Sequence, residues 1–267
     1  MAVPPSDLAP SGCWVAVPVP GEQAGAGGGS GPLTLRCWWE QPTDRPARAG
    51  VLVLPEVFGI NGWVRRVAAR LAAAGYAALA VPLFPRTAPE LELGYHPEAL
   101  EEGRHHKLLT RSDELLTDLA AAIAWLTPRS GGGPVGCVGF CFGGHVAMLA
   151  ATLPGVAATC DAYGAGVVSG RPGGGAPTLE ELPTIQGRLL CLCGTEDDLI
   201  PPADVAAITV ALGAINPIRQ EAGLSPHQLL SLPGGHGFLC EERGAFHPES
   251  AAIAWDEILS LFAETLG

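Results

Sequence analysis

The chain has 267 residues, enough for one large α/β domain or two small ones, and 48% of them are hydrophobic against 16% charged. Such a composition buries a sizeable core, which excludes a disordered or collagen-like polymer. With 15 Lys and Arg against 27 Asp and Glu, the net charge of −12 repels phosphate backbones and anionic headgroups, so no nucleic acid and no membrane is an expected partner. No run of 18 apolar residues occurs, and the opening Met1-Ala-Val-Pro-Pro-Ser-Asp7 has neither the basic start nor the apolar centre of a signal peptide, so the expected location is cytoplasmic. The eight cysteines then read as reduced thiols rather than as a disulfide framework. Cys191 and Cys193 have the spacing of alternate strand positions, and the adjacent His105 and His106 would point about 100° apart on a helix, so no metal site is expected.

The 36 glycines and 25 prolines gather in clusters that separate the elements. Residues 14–18 and 33–39 read as two N-terminal strands, antiparallel, joined by the Gly-rich stretch 21–32. The first 12 residues read as a loosely ordered extension. Val51 to Leu54 is an all-apolar run, as expected of a strand covered on both faces, and is followed by a helix over 64–74 and a strand over 77–81. Residues 110–126 place Leu115, Leu116, Leu119, Ile123 and Leu126 on one helical face before Pro128 stops it. Strands follow at 135–140, 156–162, 189–193 and 228–232, with helices after 141, over 203–212 and over 248–266. This alternation predicts one α/β domain with a mostly parallel central sheet and helices on both faces. In such sheets ligands bind beyond the carboxyl ends of the strands.

Gly139-Phe-Cys-Phe-Gly143 lies between a predicted strand and a predicted helix. It has the pattern of a nucleophile elbow, with Cys141 where serine is more usual and a glycine two residues to either side. Asp197 follows the 189–193 strand and His236 follows the next. Nucleophile, acid, histidine is the chain order of α/β-hydrolases. Glu196 and Asp198 compete with Asp197 for the acid. Glu56 follows the 51–54 strand and belongs at the same sheet edge as Cys141. The N–H groups of Val57 and Phe142 fall where oxyanion donors of these folds lie.

Together with Pro55-Glu-Val-Phe-Gly-Ile-Asn61, Leu83-Phe-Pro-Arg86, Gly194 to Pro201 and His236-Gly-Phe238, these motifs resemble the dienelactone hydrolase family over residues 50–265. The resemblance implies an α/β-hydrolase fold with Cys141 as nucleophile, His236 as base, Asp197 as its orienter and Glu56 as a carboxylate that helps deprotonate the thiol. It also implies Arg86 as a ligand for a substrate carboxylate. The family's second arginine, four residues after the histidine, is replaced by Cys240, and Arg243 is the nearest substitute. A free thiol with pKa near 8.5 is only slightly ionised at neutral pH, so the chemistry needs these neighbours but no cofactor and no metal. The expected activity is hydrolysis of a small ester, most of all a lactone; the sequence leaves the oligomeric state open, with a monomer slightly favoured. A general carboxylesterase or thioesterase on the same residues, and a redox-sensing or binding protein without hydrolytic activity, are the rival readings.

Overall fold

A computed structural model describes residues 9–23 and 31–267; most of the expected N-terminal extension and the centre of the expected 21–32 loop lie outside them. Eight strands form one sheet: β1 Cys13–Gln23, β2 Pro32–Glu40, β3 Gly50–Leu54, β4 Ala77–Ala80, β5 Val135–Phe140, β6 Val156–Ala162, β7 Arg188–Gly194 and β8 Gln228–Leu232. Their order is β1-β2-β4-β3-β5-β6-β7-β8. The β1–β2 and β2–β4 pairs are antiparallel and every other pair is parallel.

All residues of β3, β4 and β5 are buried, because helices cover both faces of the sheet there. Alternation assigns each side chain its layer. Val51, Val53, Ala78, Ala80, Val138 and Phe140 face α1 (Gly62–Ala73) and α6 (Pro248–Leu266). Leu52, Leu54, Leu79 and Cys137 face α3 (Ser112–Leu126) and α4 (Phe142–Ala150). The apolar faces of those helices close the two layers, with Trp63 of α1 edge-on to Phe140 at a centroid distance of 4.8 Å.

Two helices differ from the sequence-based expectation. A helix α2, Pro97–Leu108, precedes the one expected over 110–126; it buries only Ala99 and Gly103 and so carries almost no amphipathic signal. Helix α5 runs Pro202–Glu221 rather than stopping near residue 212, continuing through Pro217. The Gly-rich segment after β6 contains a short 3₁₀ stretch, Thr178–Thr184. All eight cysteines are free thiols. Among the described residues no helix is long and apolar enough to cross a membrane, and no group of three or more His, Cys, Asp and Glu side chains is arranged to hold a metal ion.

Candidate active site

Cys141 sits between β5 and α4 with φ 54° and ψ −117°, a left-handed conformation rare for a residue with a side chain. Its neighbours hold it there. The Cys141 N–H donates to the Ala162 carbonyl at 3.0 Å, and the Cys141 carbonyl accepts from Gly144 and His145. Close packing also explains the flanking glycines. A Cβ on Gly139 would stand 1.9 Å from the Gly143 carbonyl oxygen, and one on Gly143 would stand 2.2 Å from that of Leu54.

His236 follows β8, and its Nδ1 is 2.8 Å from Oδ2 of Asp197, which follows β7. The second Asp197 oxygen accepts the Leu199 N–H at 2.9 Å, so this fully buried carboxylate is fixed at both oxygens. Glu196 and Asp198 are exposed and have no contact of this kind. Nε2, on the other side of the imidazole, is buried without a hydrogen-bond partner among the described residues. Burial pushes the His236 pKa down, but the charge of the nearby Cys141 and the bond to Asp197 overcome it and raise the value to about 10. The Tyr163 ring packs edge-on against the imidazole, with centroids 5.4 Å apart. Among the described residues Tyr163 is the other non-glycine residue with positive φ, at 45°.

Glu56 is fully buried at the carboxyl end of β3, and its Oε1 accepts from Arg243 Nη1 at 2.7 Å. Burial pushes the Glu56 carboxyl up, against the pull of the Arg243 and His236 charges. Arg243 reaches inward from a segment tied to α1: Trp63 Nε1 donates to Glu241 at 2.6 Å, and Arg66 pairs with Glu242. Gly237, at φ 93°, leaves the space through which the arginine passes, since a Cβ there would lie 2.4 Å from Arg243 Nη1. Cys240 is buried and does not take the arginine's place at the surface of the cleft.

Cys141, His236 and Arg243 line one cleft of about 480 Å³, counting the part open to solvent. Val57, Phe58, Leu100, Phe142, Ala165 and Leu199 form its apolar wall, and Arg104 and Lys107 of α2 complete it. The N–H groups of Val57 and Phe142 have no backbone acceptor among the described residues. For Phe142 this follows from its place as the first residue of α4. The cleft therefore presents a thiol, an imidazole and two free amide donors.

The structure does not bring Arg86 to this cleft. Its guanidinium makes two bonds to the buried Asp118, at 2.7 and 3.1 Å, and a third to Glu22 at 3.2 Å, with Glu114 3.8 Å away. Glu90, four residues on in the chain, instead lies 3.7 Å from Arg36. A sequence motif places Arg86 after β4, but only packing decides which way its long side chain turns. Arg104, Lys107 and Tyr163 escaped the sequence reading: the first two lie on the unexpected α2, and the strained turn at Tyr163 has no local sequence signature.

Comparison with known proteins agrees with the geometry. The family model described as the dienelactone hydrolase family matches residues 36–266. A Synechocystis sp. protein provisionally named a carboxymethylenebutenolidase is 40% identical over 219 residues, covering 81% of this chain and 86% of its own. The carboxymethylenebutenolidase of Pseudomonas putida is 28% identical over 225 residues, covering 83% and 88%. A Klebsiella pneumoniae crystal structure, provisionally described as a dienelactone hydrolase, superposes with a TM-score of 0.77 at 23% identity, covering 95% of this chain and 99% of that one. The match of a family model across most of the sheet and every cleft element shows that the chain belongs to the dienelactone hydrolase family, hydrolases that act on ester bonds.

Proposed function

We propose that the protein hydrolyses a lactone or small ester through Cys141 as a covalent nucleophile. The observation that carries this reading is the buried Asp197–His236 pair, whose free Nε2 lies beside a thiol held in an elbow conformation. The Cys141 sulfur attacks the carbonyl carbon while its proton resides on His236. The Val57 and Phe142 N–H groups receive the developing oxyanion. Collapse of the tetrahedral intermediate breaks the C–O bond, and His236 gives its proton to the departing oxygen. Water then adds to the thioester with His236 taking its proton, and the acid product leaves as the thiol is restored. In a lactone the departing oxygen remains part of the acyl group, so this second step releases a single hydroxy acid. Glu56, held by Arg243, is the carboxylate assigned to helping deprotonate the thiol. The mechanism requires no cofactor.

The withdrawal of Arg86 into its pair with Asp118 favours a second reading, a general carboxylesterase or thioesterase using the same residues on uncharged substrates. Rapid-quench mass spectrometry tests the shared chemistry. An enol-lactone and an aryl ester should each leave an acyl adduct on wild-type protein, and Cys141→Ala should lose both adduct and turnover. An undiminished rate in Cys141→Ala would overturn the proposal. Asp198→Asn exceeding Asp197→Asn in its effect would move the acid by one residue.

A further inference from the structure

We infer that Arg104 and Lys107 of α2 form the anion-recognition site for the substrate of this cleft, reading a carboxylate carried by the acyl part of an ester or lactone. The inference rests on the hydrolytic reading of Cys141 and adds the residues that select the substrate. Both side chains line the same cleft as Cys141 and His236. They are three residues apart on one helix, so they share a face. The position of that helix is set by close packing: a Cβ on Gly103 would stand 2.3 Å from the Val57 carbonyl oxygen, so the backbone of α2 rests directly on the loop that offers the Val57 N–H. A carboxylate bound by the two cations would therefore belong to a molecule whose ester carbonyl is close to that donor.

Among the cations that line the cleft, charge pairing separates these two from Arg243. In a chain with nearly two acids per base, Arg243 is joined to Glu56 and Arg86 to Asp118, whereas neither Arg104 nor Lys107 has an acidic partner within 4.0 Å among the described residues. Lys107 instead lies 5.4 Å from the centre of the Phe142 ring, beside the other amide donor. Leaving two cations uncompensated beside the apolar wall of a cleft, in a chain of net charge −12, is the electrostatic arrangement expected of a site for an anion. A second cleft, lined by Arg171 and Ser169, shares Lys107, Phe142 and Ala165 with the first, so Lys107 stands where the two meet.

The test compares the phenyl half-ester of glutarate with the same ester bearing a terminal carboxamide, an uncharged isostere. The readout is the ratio of their kcat/KM values on one preparation. Binding of the two to the Cys141→Ala protein supplies a second readout that needs no turnover. Wild type should prefer the anion, Arg104→Gln and Lys107→Gln should each lower the preference about 3- to 10-fold, and Arg104→Lys and Lys107→Arg should retain most of it. Arg129→Gln, which removes a cation remote from the cleft, and Arg86→Gln should leave the ratio alone. Equal binding of both esters by wild type, or an equal loss of preference in Arg86→Gln or Arg129→Gln, would overturn the inference. Absence of any acyl adduct with intact charge-dependent binding would instead overturn the hydrolytic reading and leave the anion site standing.

Discussion

The two nitrogens of His236 have different surroundings, which makes them separable by experiment. Nδ1 is tied to Asp197 at 2.8 Å, and Nε2, buried without a partner among the described residues, is the nitrogen the proposed mechanism gives to Cys141. A pKa of about 10 depends on the charge of the sulfur as well as on Asp197, so Cys141→Ala should lower it, and the drop is measurable by following the imidazole resonances through a pH titration. An unchanged value in that variant would separate the thiol from the imidazole. Because the folded-state value lies above the usual 6.5, protonated His236 stabilises the fold fully below pH 6.5, and that contribution is lost as pH rises through about 10. Arg86 is a residue whose role changes with the structure in view. Its paired carboxylate Asp118 is 2% exposed, so Arg86→Ala leaves a buried acid without its partner and should cost about 3 kcal/mol in a denaturant titration, with little effect on substrate preference.

At the scale of the element, the site depends on backbones that touch. Gly143 lies over the Leu54 and Pro55 carbonyls, and Gly139 lies over Gly143, so β3, β5 and the start of α4 meet without room for a methyl group. Gly143→Ala should therefore destabilise the protein and displace the Phe142 N–H, despite the gain of about 1 kcal/mol in helix propensity that alanine brings. Thermal melting together with ester turnover checks this, and wild-type values for both would contradict it. Gly103→Ala poses the same conflict in α2. The methyl group favours the helix but meets the Val57 carbonyl at 2.3 Å, so turnover should fall more than helix content. His145, buried in α4, braces the Gly-rich segment by bonds to the Thr178 hydroxyl at 2.7 Å and the Ala165 carbonyl at 3.1 Å. Burial lowers its pKa to about 4, which keeps the imidazole neutral in this position.

Across the whole molecule, the sheet edge gathers ionisable groups at the expense of stability. Asp161, at the end of β6, is buried, and its pKa is raised to about 7 by desolvation despite the Gly164 N–H bond at 2.8 Å and the charge of His236. An acid held above its unfolded value of 3.8 binds a proton in the native state that the unfolded chain has released. Its contribution to stability is thus present at low pH and falls as pH rises from about 4 to about 7. Asp161→Asn retains an oxygen for the Gly164 N–H and should flatten this slope, so its stability relative to wild type should increase between pH 4 and pH 8. Parallel denaturant titrations across that range would show a constant difference if Asp161 were not responsible.

Alternating apolar strands and punctuating glycines and prolines were sufficient to read the parallel sheet, because a strand covered on both faces has a composition that few other environments accept. The elbow, Asp197 and His236 were legible for a related reason: each follows a strand whose end the local pattern marks, and parallel strands bring those ends to one edge. Helix α2 was not legible, since with only Ala99 and Gly103 buried it has almost no apolar face to announce it. Pro217 likewise obscured the second half of α5, where tertiary packing tolerates a local helix breaker. The destinations of Arg86 and Arg243 were decided by the tertiary structure alone. A guanidinium on a long flexible stem goes where a buried carboxylate and free space coincide, and the meeting of Arg86 with Asp118 or of Arg243 with Glu56 across 187 residues is a property of the assembled fold, not of either local segment.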